Sequence, residues 1–222
     1  MRKLVMWNMV TLDGFFDGDR SWEINWHQNV WGDDLERFAL ESQSAEMLLF
    51  ERPAYERMAA HWSAATGEVA ERINAMPKIV FSRSRTKARW NNSRLVTTDP
   101  ATEVAGLKRQ PGDDLVIFGG IALPATLAQR GLIDEYRLGV HPVVLGDGGL
   151  LRKSTSTLSL LEATTSQSGR TVLRYAADRE KRHTEAHAPL RPCRRSGRLV
   201  TPRSRRSVVD GPFVETKEWA LG

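Results

Sequence analysis

The chain has 222 residues, a length that suits one domain or one domain with an appendage. Hydrophobic residues make up 41% and charged residues 27%, which excludes a wholly disordered chain. The net charge of +5 comes entirely from the C-terminal end, since residues 1–178 hold 21 Lys and Arg against 22 Asp and Glu, and residues 179–222 hold 11 against 5. Because the first region is nearly neutral, we expect no specific nucleic-acid partner.

Neither export nor membrane insertion is indicated by the apolar segments. The longest near-apolar stretch, Leu115 to Ala128, contains two glycines and a proline and falls short of the roughly 20 residues that a bilayer requires. The apolar run at the N-terminus stops at Asp13 without a cleavage site. Cys193 is the one cysteine, so an intramolecular disulfide is excluded, and the isolated histidines predict no metal site. We expect a cytoplasmic protein.

Strand-like and helix-like segments alternate along the first 178 residues. Short apolar runs predict buried strands at Leu4–Val10, Met47–Phe50, Ile79–Phe81, Leu115–Phe118 and Val143–Leu145. Helical spacing and start signals predict helices near Asp33, after Pro53, around Val69, Ile73 and Met76, over Ala101–Lys108, and from near Ile121 to just before Gly131. This alternation predicts an α/β domain with a largely parallel central sheet.

The pattern changes near the end of this region. The segments Tyr136–Val140, Thr157–Thr164 and Thr171–Tyr175 follow one another without a helix, which predicts antiparallel strands. Ser168-Gly169 is typical of the turn of a hairpin between the last two. We therefore place a domain over residues 1–178. The basic segment 179–222 has few large apolar residues up to residue 206, and we expect a mobile tail there.

Two local features suggest ligand contacts. A strand ending at Phe118 runs into Gly119-Gly120 and then a helix, which favours an anion on backbone N–H groups, although a tight turn without a ligand has the same pattern. Trp22, Trp26 and Trp31 lie in a loop-like stretch. Their rings suit a wall for a flat heterocycle, and ordinary packing is the alternative.

Six segments occur in the order and spacing of a known family. They are Met9-Val10-Thr11-Leu12-Asp13-Gly14-Phe15, Phe50–Glu56, Pro77–Arg83, Phe118-Gly119-Gly120, Gly131–Leu138 and His141–Gly148. Together they resemble the reductases related to the C-terminal domain of the riboflavin-biosynthesis deaminase/reductase. That family has the dihydrofolate reductase fold, so the resemblance implies three layers, with a mixed, mostly parallel sheet between helices and antiparallel strands at the C-terminal end.

The resemblance also implies an NADPH-dependent reductase of a pterin-like or aminopyrimidine-like ring. Asp13 would be catalytic, orienting or protonating the heterocycle, and Phe118 stands where the riboflavin-pathway reductase has a substrate-binding glutamate. With Trp22 and Trp26, Phe118 forms the expected substrate wall. The implied cofactor residues are Arg52 by the pyrophosphate, Ser82 and Arg83 by the 2′-phosphate, and Gly119, Gly120, Ile121, Ala122 and Leu123 around the diphosphate.

The chain departs from this family at one motif. Glu51-Arg52-Pro53-Ala54 stands where the family has Gly-Arg-x-Thr, which adds a carboxylate and removes a hydroxyl. Alternatives to NADPH chemistry are therefore a repurposed ligand-binding dimer, or an enzyme using FMN or a deazaflavin in the same cleft. Members of this family commonly dimerise, and the late strands at Leu158–Leu161 and Val172–Tyr175 are apolar and need to be covered. We therefore expect a symmetric homodimer. In the tail, Val208–Glu218 resembles the signature of the small YCII-related domains.

Overall fold

The computed structural model describes residues 1–17, 45–84, 87–150, 157–166 and 169–178. All of them lie in one compact unit, Met1–Ala186. Several predicted features lie outside the described residues: the helix near Asp33, the three loop tryptophans Trp22, Trp26 and Trp31, and the tail 179–222. Those features stay predictions.

Most of the described strands coincide with predicted segments. They are β1 Leu4–Thr11, β2 Phe15–Asp17, β3 Ala45–Glu51, β4 Lys78–Phe81, β5 Ser93–Val96, β6 Asp114–Phe118, β7 Glu135–His141, β8 Gly149–Leu150, β9 Leu158–Thr165 and β10 Thr171–Ala177. Among the described residues, four helices lie between them: α1 Arg52–Trp62, α2 Glu68–Ala75, α3 Pro100–Arg109 and α4 Ala122–Gln129. The α3 and α4 bounds agree with the predicted helices to within one or two residues. Val69 and Ile73 lie in α2 with Met76 at its end, and Pro53 lies in the first turn of α1 as predicted.

Eight strands form one sheet in the order β5-β4-β3-β6-β1-β7-β10-β9. All pairs from β5 to β7 are parallel. The last two pairs, β7 with β10 and β10 with β9, are antiparallel. Strands β2 and β8 form a separate antiparallel pair. The predicted mixed, mostly parallel sheet with antiparallel strands at its C-terminal end is therefore confirmed.

Both faces of the sheet are covered, which makes three layers. Every residue of β1 is buried, as expected for a strand in the middle of a parallel sheet. Val5, Trp7 and Met9 pack on one face with residues of α1 and α2. Leu4 and Met6 pack on the other face with residues of α3 and α4. The apolar run of β1 is thus two alternating sets of side chains that serve two separate cores.

One predicted strand is wrong. Residues 143–145 have no regular structure, because the chain leaves the sheet at His141 and forms a loop. In this loop Val143 accepts a hydrogen bond from Leu12 N at 2.8 Å, and Val144 is exposed. This hydrogen bond joins the apolar run to the turn between β1 and β2, and the run is not a strand.

Within the described residues, no helix combines the length and the apolar character needed to cross a bilayer.

Candidate functional site

The parallel strands β3, β4 and β5 end at the same edge of the sheet, where helices α3 and α4 begin. A cavity of about 560 Å³ lies at this edge. The described residues that line it are Glu51, Phe81, Ser82, Arg83, Val96, Thr97, Thr98, Asp99, Pro100, Ala122, Leu123 and Thr126. Ligands of open α/β sheets bind outside the carboxyl ends of the strands, so this cavity is the candidate site.

Four of the predicted cofactor residues line this cavity: Ser82, Arg83, Ala122 and Leu123. Strand β4 places the first two, since Ser82 N donates to Val96 O at 3.1 Å and Arg83 follows with an exposed side chain. The side chain of Arg83 is exposed and lines the cavity. It is the one cation among the described lining residues, whereas Glu51 and Asp99 contribute two carboxylates.

The start of α4 is already bound to a carboxylate of the chain. Glu51 Oε1 accepts from Ile121 N at 3.1 Å, and Glu51 Oε2 accepts from Leu123 N at 2.8 Å. These are two of the backbone donors that the resemblance assigns to a cofactor diphosphate. The strand-to-helix turn is therefore present, and in this structure the carboxylate of Glu51 holds its N–H groups, whereas binding of a ligand anion there stays a prediction.

The start of α3 is also capped by a carboxylate. Asp99 Oδ2 accepts from Thr102 N and from Thr102 Oγ1, both at 2.9 Å. Both bonds hold the pKa of Asp99 below its usual value, and the bond from the Thr102 backbone N–H has the larger effect. Asp99 was missed as a cavity residue, although its place before Pro100 is a recognisable helix-start signal.

The other predicted cofactor residues and Phe118 are not among the described residues that line the cavity, and Trp22 and Trp26 lie outside the described residues. Arg52 begins α1 with an exposed side chain, and its Nη1 lies 4.0 Å from Glu56 Oε1. Gly119, Gly120 and Ile121 directly precede the lining residues Ala122 and Leu123 in the chain. Phe118 is 5% exposed and stacks on Trp7 with ring centroids 5.2 Å apart, so this ring has a core contact.

Asp13 organises the turn that follows β1. Its carboxylate accepts from Thr11 Oγ1 at 2.5 Å and from Leu145 N and Gly146 N at 3.1 and 2.7 Å. The bond from Thr11 does most to lower the pKa of Asp13 below its usual value. The group is therefore ionised at neutral pH and suited to accepting hydrogen bonds rather than to giving up a proton.

Asn8 is a polar residue that the sequence shows inside an apolar run but that was not assigned a role. It is 1% exposed, and its Nδ2 donates to Gly120 O at 2.8 Å. Its Oδ1 is a buried acceptor that has no hydrogen-bond partner among the described residues. Burying an amide in a strand costs free energy unless the amide forms hydrogen bonds. The asparagine in the middle of the apolar run was therefore the sequence signal for a specific contact. Through the bond to Gly120 O, Asn8 joins β1 to the Gly119-Gly120 turn.

The residues present fit an NADP(H) cofactor in part. An exposed guanidinium with hydroxyl side chains around it, as at Arg83, Ser82 and Thr97, suits the recognition of a phosphate on a ribose. The start of α4 does not fit a diphosphate as it stands, because a carboxylate holds its N–H groups. The cavity therefore matches one end of such a cofactor and conflicts with its centre.

Comparison with known proteins agrees with the fold. The family model of the RibD C-terminal domain matches residues 2–174. The uncharacterized protein YyaP of Bacillus subtilis (strain 168) is 30% identical over 152 residues, which cover 66% of this chain and 78% of that protein.

Solved structures give the same result. A candidate riboflavin biosynthesis protein from Shewanella sp. PV-4 superimposes with a TM-score of 0.64 at 17% identity, over 80% of this chain and 99% of that chain. Dihydrofolate reductase from Enterococcus faecalis, in complex with NADP(H), superimposes with a TM-score of 0.54 at 12% identity, over 79% of this chain and 96% of that chain. At these identities the structures establish a dihydrofolate reductase-like fold.

Proposed function

The chain belongs to the RibD C-terminal domain family, and we propose that it is a reductase that uses NADPH to reduce a pterin-like or aminopyrimidine-like heterocycle. The observation that carries this proposal is the cavity at the ends of β3–β5, into which the fold brings Ser82 and Arg83 together with the start of α4. The family membership and the similarity to a dihydrofolate reductase that binds NADP(H) support the same assignment.

In this proposal the described residues bind and orient. Arg83 and Ser82 hold the phosphate of the adenosine ribose, since a guanidinium and a hydroxyl are suited to phosphate oxygens. Asp13, ionised and fixed by Thr11, accepts a hydrogen bond from an N–H of the heterocycle. The nicotinamide supplies the hydride when it is bound.

The test is a titration of the full chain with NADPH and NADH, followed by tryptophan fluorescence. Arg83→Ala should weaken NADPH binding by about tenfold or more and change NADH binding little, because an arginine–phosphate pair is charge-assisted. Arg89→Ala is the matched control, since Arg89 is also exposed and lines a different cavity. Equal losses for both cofactors would remove Arg83 from the phosphate role.

A second candidate is a ligand-binding protein on the same fold that no longer binds NADPH tightly. The carboxylate of Glu51 at the start of α4 favours it. FMN and a deazaflavin belong in the same titration as additional ligands. Binding of a flavin with no response to NADPH would replace the nicotinamide proposal.

We also propose a symmetric homodimer through the end of the sheet. Strand β9 has one neighbour, β10, among the described strands, and both Leu160 and Leu161 are more than half exposed. An apolar edge strand of this kind is normally covered. Light scattering should give twice the chain mass of 25.0 kDa, and a value near 25.0 kDa at micromolar concentration would contradict the proposal.

A further inference from the structure

The carboxylate of Glu51 lies where two backbone donors of another element converge. Glu51 ends β3 and occupies the position before α1, but its side chain makes no hydrogen bond to α1. It reaches instead to Ile121 N and Leu123 N, and no side chain near Ile121 in sequence caps α4. Since β3 pairs with β6 in parallel register, the end of β3 lies beside the turn that leads into α4. A distant residue thus supplies the missing cap.

The glycine turn is shaped around this carboxylate. Gly119 and Gly120 have φ angles of 69° and 92°, a backbone conformation that residues other than glycine rarely adopt. A Cβ on Gly120 would lie 2.6 Å from Glu51 Cδ. Asn8 holds the carbonyl of Gly120 from the sheet side. In this structure the lack of a side chain at Gly120 admits Glu51, which is a different use of glycine from the one predicted.

A carboxylate and a phosphate cannot share these donors. The N-terminus of a helix attracts one anion because its N–H groups and dipole carry partial positive charge. A diphosphate at Ile121 and Leu123 would have to replace Glu51 or lie against it, with Asp99 as a second nearby carboxylate lining the cavity. Repulsion between like charges in a partly closed site disfavours the second arrangement.

We infer that Glu51 is a specificity-determining residue, a built-in anion that excludes phosphate groups from the start of α4. The inference rests on the proposed cofactor site and refines it. Ligands bind tightly in this cavity when the group placed at α4 is neutral, and a diphosphate binds only by displacing the Glu51 side chain. Removing the carboxylate therefore opens an anion site that the wild type keeps closed.

The experiment uses inorganic pyrophosphate as the probe, with the full-length chain, and measures melting temperature and calorimetric affinity. Glu51→Ala should bind pyrophosphate at least about tenfold more tightly than the wild type, because two backbone donors become available to it. Glu51→Gln, which keeps an acceptor oxygen without the charge, should lie between the two. Glu71→Ala is the control for charge, since Glu71 is exposed on α2 and does not line the cavity.

The outcomes separate this inference from the proposed function. If Glu51→Ala binds pyrophosphate no more tightly than the wild type and Glu71→Ala, Glu51 does not exclude phosphate and the inference is overturned. Should Glu51→Ala fail to fold, Glu51→Gln decides by the same measurement. A gain in pyrophosphate affinity in variants that do not respond to NADPH would uphold the role of Glu51 and reject the cofactor. Tight NADPH binding by the wild type, unchanged in Glu51→Ala, would uphold the cofactor and reject the role of Glu51.

Discussion

Helices α3 and α4 both begin at the cavity, and a carboxylate lies on the N-terminal N–H groups of each, but the two carboxylates come from different places in the chain. Asp99 caps α3 from the adjoining residue and binds Thr102, three positions on. Glu51 caps α4 from another strand, 70 residues earlier in the sequence. The local cap stabilises a helix wherever that helix lies, whereas the distant cap requires the sheet to have formed.

The difference shows which features of this site had to come from the structure. A local cap such as Asp99 satisfies its own helix and holds one backbone donor at the cavity. A distant cap fastens β3 to α4 and at the same time occupies a ligand position. Glu51 therefore couples the stability of the unliganded protein to its affinity for anions, and Asp99 does so to a smaller extent.

Removal of the distant cap should have the largest effect. In phosphate-free buffer we expect Glu51→Ala to lower the melting temperature by about 5 °C, because two charge-assisted hydrogen bonds between elements are lost. Pyrophosphate should restore most of this loss. Differential scanning calorimetry measures both values, and a variant as stable as the wild type would show that water caps α4 equally well.

Removal of the local cap should have a smaller effect. Asp99→Ala leaves Thr102 N without its acceptor, and we expect the melting temperature to fall by about 2 °C. Pyrophosphate should restore little of it, since the change frees one backbone donor rather than two. A larger loss than that of Glu51→Ala would contradict the ranking of the two caps.

The smallest effect at neutral pH is expected for Asp99→Asn, because asparagine caps a helix about as well as aspartate. The two proteins should differ in acid. The pKa of Asp99 lies below its usual value of 3.8 in the folded state, so its charge stabilises the fold above that pH and this contribution is lost as the pH falls through the lowered pKa. The wild type should therefore lose melting temperature relative to Asp99→Asn between pH 5 and pH 2. Parallel melting curves for the two proteins would contradict this assignment.

Most of the sheet could be predicted from the sequence, because buried parallel strands are continuous apolar runs. β1 and β6 are of this kind. β5 was missed because Ser93–Val96 is short and half polar, and it forms because β4 offers it a parallel neighbour. Residues 143–145 were wrongly predicted as a strand since an apolar run does not reveal whether a neighbouring strand exists.

The candidate site was predictable only where it depends on neighbours in sequence. Ser82 and Arg83 directly follow the predicted strand at Ile79–Phe81 and line the cavity, and their role toward a cofactor stays a prediction from the resemblance. Glu51 was visible as a departure from the family pattern, but its partners Ile121 and Leu123 depend on β3 and β6 lying side by side. Asn8 showed itself as an amide in an apolar run, and its bond to Gly120 has the same long-range origin.

The central place of β1 has a consequence for how the protein is made. This strand is synthesised before its two neighbours, β6 and β7, which end at Phe118 and His141. At roughly 5–20 residues per second, synthesis of the intervening chain takes about 6–26 s. Throughout that time a strand that is buried along its whole length in the finished protein lacks at least one of its two partners. We therefore expect β1 to need other contacts on its exposed edges and faces until β7 has been made.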